Sequence, residues 1–228
     1  MGRALSSALG AAGVAVRGPL GRGATSSDAA VVLLCVPDRE ISVAARLILP
    51  GALVGHVSAS APLSALEPHE RFFMHPLLSV LDESAQFAGA MCAVDGSSPR
   101  TLAVAQSLAE RLGMRPRTIP ADQRALYHAM ASAASNYLTT VLGLAEHLAL
   151  QLGIERSELE PLVRASVSHW VARGAGAALT GPIARGDEVT VARQREAVAS
   201  AAPETIPLWD ALVDGTRVLA RTSNKDVE

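Results

Sequence analysis

The rhythm of apolar and polar residues changes near the middle of the chain. Before Pro120, short apolar runs alternate with helical patterns, and after it only helical patterns remain. Val31-Val32-Leu33-Leu34-Cys35-Val36 is continuously apolar and ends at Pro37-Asp38, as expected of a strand buried on both faces of a parallel sheet. Asp38 is placed to cap a helix over residues 39–49, which Pro50-Gly51 stops. Further strands are predicted at 53–57, 71–74, 89–94 and near 117–119, with a helix over 99–112 stopped by Gly113. Ahead of these, residues 4–12 read as a short helix and 14–17 as a strand. The alternation predicts an α/β fold with a mostly parallel sheet.

The second half is predicted to be all-helical. Residues 121–152 keep helical periodicity with only Gly143 as a breaker. Ser157, with Glu160 three residues on, forms a capping-box pattern that opens a helix to Arg173. Helices over 188–200 and 206–221 complete this half. The boundary falls at about 118–121, giving an α/β domain at 1–119 and a helical domain at 120–228. The helix over 121–152 is apolar on most sides, and a helix of that kind is buried. A domain this small cannot surround it, so a homodimer through the C-terminal helices is expected.

Composition narrows the function. The 228 residues are 49% hydrophobic, enough for a sizeable core, and the net charge of −2 with interspersed signs argues against nucleic-acid binding. Aromatics are only 3%, so Ala, Val and Leu must fill the core. The sole lysine, Lys225, lies in the polar tail, which leaves no Schiff-base or lysine proton donor inside the fold. Cys35 and Cys92 sit in apolar runs as buried thiols of a reducing compartment. No apolar run approaches the ~18 residues of a membrane helix, and a cytoplasmic location is expected. Residues 1–27 hold three arginines and no acid, a composition shared with transit peptides. The alternation that follows favours their belonging to the fold.

Chemistry concentrates at a few points. A dinucleotide fingerprint needs a Gly-rich turn between the first strand and first helix. Met1-Gly2-Arg3-Ala4-Leu5 matches the end of such a turn, with Gly2 as its last glycine and no earlier strand or glycines. Either the sequence starts downstream of its natural start, or the element is absent from this version. Gly18 stands where an acid would hold the ribose of NAD, and Arg22 follows nearby. That exchange suits the 2′-phosphate of NADP, with NAD the less expected cofactor, and a solvated loop arginine is the alternative. His56, His69 and His75 follow strands without acid or thiol partners at ligand spacing, so no metal is expected. His75-Pro76 reads as a rigid turn near a ligand.

On the long helix, Arg124, His128, Ser132 and Asn136 recur every four residues, with Tyr127 beside them and small alanines between. Histidine is a proton donor suited to neutral pH, and Asn136 could hold a carbonyl or the nicotinamide amide. A polar seam between helices is the alternative. In the loop at 179–187, Arg185 faces an anionic group in one reading, while in the other Asp187 simply caps the next helix.

These segments also resemble a known family. Leu34 to Asp38, Gly55 to Ser58, His75 to Leu77, Tyr127 to Ala131 continuing through Asn136, and Ala178 to Asp187 are similar in order and spacing to the Rossmann-like, DUF2520-containing oxidoreductases. That layout is shared with pyrroline-5-carboxylate reductase and other 6-phosphogluconate-dehydrogenase-like enzymes. The resemblance implies an N-terminal NAD(P)-binding Rossmann domain, here without its first strand, and a C-terminal helical domain that dimerises. It places the cofactor near Gly2, Val36, Pro37, Asp38 and His75, with the substrate pocket against the long helix. The expected function is NADP-dependent oxidoreduction of a small carbonyl, imine or hydroxy compound at the domain interface. His128 is then the proton donor or acceptor, Asn136 and Tyr127 orient the substrate, and Arg185, Thr180 and Arg124 bind it. The alternatives are a non-catalytic nucleotide- or metabolite-sensing protein of the same fold, and a chain whose sheet is incomplete and exposes unpaired backbone groups.

Overall fold

The computed structural model describes residues 1–21, 23–24 and 28–223. Contacts divide the chain into two compact units, Met1–Asn136 and Tyr137–Glu228. The first is built on five strands: β1 (Val31–Leu34), β2 (Leu53–His56), β3 (Arg71–Pro76), β4 (Met91–Gly96) and β5 (Arg115–Thr118), lying side by side in sequence order. All neighbours pair in parallel except β3 and β4. With the helical second unit, this is the expected α/β, Rossmann-like architecture.

Helices cover both faces. On one lie α1 (Gly2–Ala11) and α3 (Pro99–Arg111), which pack Leu5, Leu9, Ala105 and Ala109 against Phe72, Met74, Cys92 and Val94. On the other, α2 (Ile41–Ala45) packs Ile41 and Ala45 against Leu34 and Val54. There too, α4 (Arg124–Ser132) sets Tyr127 against Phe73 and Ala93. Alternate strand residues thus serve opposite cores, as a pleat requires. Gly55 is needed because a β-carbon there would lie 2.3 Å from the Phe72 ring.

Several local expectations are revised. Residues 14–17 form no strand and are not part of the five-stranded sheet. The helix expected over 39–49 is a 3₁₀ turn at Asp38–Glu40 followed by the short α2. Asp38 makes no cap bond and instead accepts a hydrogen bond from the Ser60 hydroxyl. The long helix over 121–152 is interrupted: α4 passes through a π turn at Ala133–Tyr137 into α5 (Leu138–Leu150).

In the second unit, α6 (Arg156–Ala178) is capped by a Glu155–Glu158 box, two residues before the expected Ser157–Glu160 pair. It continues past Arg173 with a kink at Gly174, where φ is 76°. Asp187 caps α7 (Glu188–Ala201) by accepting from the Thr190 amide at 3.0 Å, and α8 (Ile206–Ser223) closes the unit. No residue of α6 is buried, and Leu162, Val167, Trp170 and Val171 are exposed along it.

Candidate active site

Register places Leu34, His56, Phe73 and Asp95 in one row across β1 to β4 on a single face of the sheet. Such a row offers a flat floor with a polar group at each side of the Phe73 ring. Arg124 of α4 lies over it. Its guanidinium carbon is 4.4 Å from the centre of the Phe73 ring, and Nη2 donates to Asp95 Oδ2 at 2.6 Å. Nη1 reaches the Ala61 carbonyl at 3.4 Å. The side chain of Arg124 is only 7% exposed, so its charge is desolvated and depends on Asp95.

Tyr127, three residues on along the same helix side, reaches the next row. Its hydroxyl is 2.6 Å from His75 Nδ1, with the rings edge to face. Burial, reinforced by the nearby His128, pushes the pKa of His75 down to about 4, against the pull of Asp38. Burial and then the Arg124 charge likewise lower His56 to about 4. His56 accepts the Ser58 amide at Nδ1, while its Nε2 is sealed from solvent without a partner among the described residues. Both imidazoles are therefore neutral at physiological pH. Burial also pushes the Tyr127 hydroxyl well above its ordinary range, so it remains protonated.

At the carboxyl end of β1, partial burial works against ionisation of Asp38. Hydrogen bonds from the hydroxyls of Ser60 and then Ser58, with the electrostatic influence of the nearby His56 and His128 imidazoles, outweigh it and hold the carboxyl below its usual range. Beside Asp95, Arg124 and His128 opens a cleft of about 520 Å³. Ser60, Asp95, Arg124, His128 and Ser132 supply its polar lining, and Ala125 and Ala129 leave the space free.

The structure thus brings together His75, Arg124, Tyr127, His128 and, through Ser60, Asp38. Asn136 is exposed in the π turn. That turn takes an extra residue per revolution, so the four-residue spacing from Ser132 no longer carries the α-helical offset. Thr180 lines a separate groove of about 200 Å³ in the second unit with Pro182, Ile183 and Trp209, and Arg185 is exposed in the loop nearby. Of the expected cofactor residues, Arg22 lies outside the described residues. Val36 packs its side chain on the α2 core, and Pro37 precedes the 3₁₀ turn. Gly2 opens α1 directly against the end of β1, where a β-carbon would fall 3.1 Å from that of Cys35. Asp95, His56, Ser60 and Phe73 escaped the sequence reading as site residues. Two of them carried a signal: His56 as a histidine at a strand end, and Asp95 as the acid that ends the apolar run Met91 to Val94.

A helix N-terminus set against the carboxyl end of a parallel strand, with a polar cleft on the sheet face, defines a Rossmann-like ligand-binding protein. The family model described as "Domain of unknown function (DUF2520)" matches residues 90–216, and the chain belongs to this family. No curated protein matches it significantly. Among solved structures, a Thermotoga maritima protein is 26% identical with a TM-score of 0.77, covering 86% of this chain and 81% of that one. A candidate NADP oxidoreductase from Bacteroides fragilis is 19% identical with a TM-score of 0.74, covering 83% and 75%. Pyrroline carboxylate reductase from Plasmodium falciparum, solved with NADP bound, is 10% identical with a TM-score of 0.58, covering 95% and 93%.

Proposed function

We propose that this protein is an NADP-dependent oxidoreductase acting on a small carbonyl, imine or hydroxy compound. The close approach of Gly2 to Cys35 carries the cofactor half of this reading. In a dinucleotide fold, the last glycine of the phosphate turn is the one that permits helix and strand to pack closely. Residues 1–119 hold the dinucleotide in this reading, with Gly2 at the pyrophosphate and Val36, Pro37, Asp38 and His75 along the strand ends. Arg22 supplies the preference for the 2′-phosphate. The bound nicotinamide supplies or accepts a hydride.

The chain's own residues do the rest. His128 lines the cleft and is exposed, so it can exchange a proton with both substrate and solvent. Asn136 and Tyr127 orient the substrate. Arg124 lines the cleft with its charge balanced by Asp95, while Arg185 and Thr180 bind an anionic part of the substrate. Residues 120–228 also form a homodimer. The exposed apolar residues of α6 support this, since surfaces of that kind mark interaction sites.

Calorimetric titration with NADPH and NADH tests the cofactor: NADPH binds tighter, and Arg22→Ala narrows the difference. Failure of both to bind refutes it. With a substrate found by screening small carbonyl, imine and hydroxy compounds, His128→Ala abolishes turnover with NADPH affinity retained. Unchanged turnover would refute the role given to His128, while cofactor binding without turnover of any such compound would favour a sensing protein. Light scattering at micromolar concentration should give twice the chain mass of 23.6 kDa, and a monomer would rule out the dimer.

A further inference from the structure

We infer that Tyr127 acts on His75: its hydroxyl donates to Nδ1 and holds the ring in the Nε2–H tautomer, which offers a hydrogen bond to an uncharged ligand oxygen, the carboxamide oxygen of the nicotinamide. The identity of that oxygen rests on the cofactor reading above, whereas the tautomer does not.

Burial keeps the Tyr127 hydroxyl protonated, and the nearer acceptor for its proton is His75 Nδ1, 2.6 Å away. The other acceptor within reach of the hydroxyl, the His75 carbonyl, is 3.5 Å away. A neutral imidazole that accepts at Nδ1 carries its proton on Nε2. His75 is held neutral by burial and by His128 on α4, opposed by Asp38 beyond β1. Its ring is pinned on two sides, stacked at 4° to Phe73 and edge-on to Tyr127.

The Nε2 edge of His75 makes no hydrogen bond within the described chain, yet it is not among the sealed, unpartnered ring nitrogens, as that of His56 is. The residue as a whole is half-buried, not sealed. It also stands at the carboxyl end of β3, the side on which parallel sheets bind ligands. A single uncharged N–H aimed there suits a carbonyl-type oxygen. Tyr127 is thus a positioning residue, and His75 the group that touches the ligand. Fixing a histidine's tautomer through its second nitrogen is a general device for setting its role.

Long-range proton–nitrogen spectra of the whole histidine-labelled protein test the tautomer without any ligand, with His75→Gln assigning the signal. At pH 7 the His75 ring should carry its proton on Nε2, and Tyr127→Phe should release it to an averaged tautomer. An Nδ1–H ring, a doubly protonated ring, or a tautomer unaffected by Tyr127→Phe would overturn the inference. Titration with NADP⁺ and with its thionicotinamide analogue, a poorer acceptor, tests the ligand. NADP⁺ should bind about two- to tenfold tighter, and His75→Leu, which has no donor, should erase the difference. Equal affinities in the unsubstituted protein would overturn the carboxamide assignment. Binding of neither compound would refute the cofactor reading itself, while the spectra still decide the tautomer.

Discussion

Removing the partner of Arg124 should cost more than removing Arg124 itself. In Asp95→Ala the guanidinium stays over Phe73 with 7% of its side chain exposed and cannot shed its proton. Breaking a fully buried pair in this way costs about 3–5 kcal/mol. The Asp95 side chain retains 23% exposure, which lets water reach the vacated position, and we expect roughly 2–4 kcal/mol. Arg124→Met leaves Asp95, which can hydrate, and replaces the cation–ring contact with a sulfur–ring one. We expect about 1–2 kcal/mol for it. The double variant should then show a coupling of roughly 1–3 kcal/mol. Urea unfolding followed by circular dichroism gives all four stabilities. An Arg124→Met cost equal to or above that of Asp95→Ala would refute the claim that the pair exists to neutralise the arginine. So would a coupling within about 0.5 kcal/mol of zero, the usual scatter for independent sites.

Other expectations follow from single contacts. Gly55→Ala places a β-carbon 2.3 Å from the Phe72 ring and should destabilise by about 1–3 kcal/mol, read by the same urea titration. Asp187→Ala removes the cap on α7 and should cost about 1 kcal/mol, while Asp187→Asn should recover most of it. His56 and His75 both titrate near pH 4 when folded and near 6.5 when unfolded. The unfolded chain therefore binds more protons between those values, so stability is present above about pH 6.5 and is lost as the pH falls towards 4. The slope should approach about 2.7 kcal/mol per pH unit for the two groups together. A melting temperature flat from pH 7 to 4.5 would contradict this. Cys35, raised to about 11 by burial, and Cys92, raised to about 12, should resist iodoacetamide at pH 8 in the folded protein and react on unfolding.

Much of the architecture was legible from local pattern because it is locally determined. The apolar run at 31–34, the short apolar stretches of β3 and β4, the stop at Gly113 and the Asp187 cap each depend on neighbours within a few residues. The same holds for clustering Arg124, Tyr127 and His128 on one side of a helix. What those side chains do was decided by partners far away in sequence. Asp95 is 29 residues from Arg124, and His75 is 52 from Tyr127. Only the sheet register that sets Phe73 opposite both His56 and Asp95 brings them into reach. Asp38 looked like a helix cap because the competing hydroxyl, Ser60, comes 22 residues later. The antiparallel β4 and the π turn at Ala133–Tyr137 left no mark in composition or period. Helical periodicity is nearly the same on either side of a single wider turn, and an apolar strand reads alike in both directions. Sequence pattern therefore determined which elements form and which faces carry polar groups. Tertiary packing alone determined which of those groups are neutralised, which are locked, and which still face a ligand.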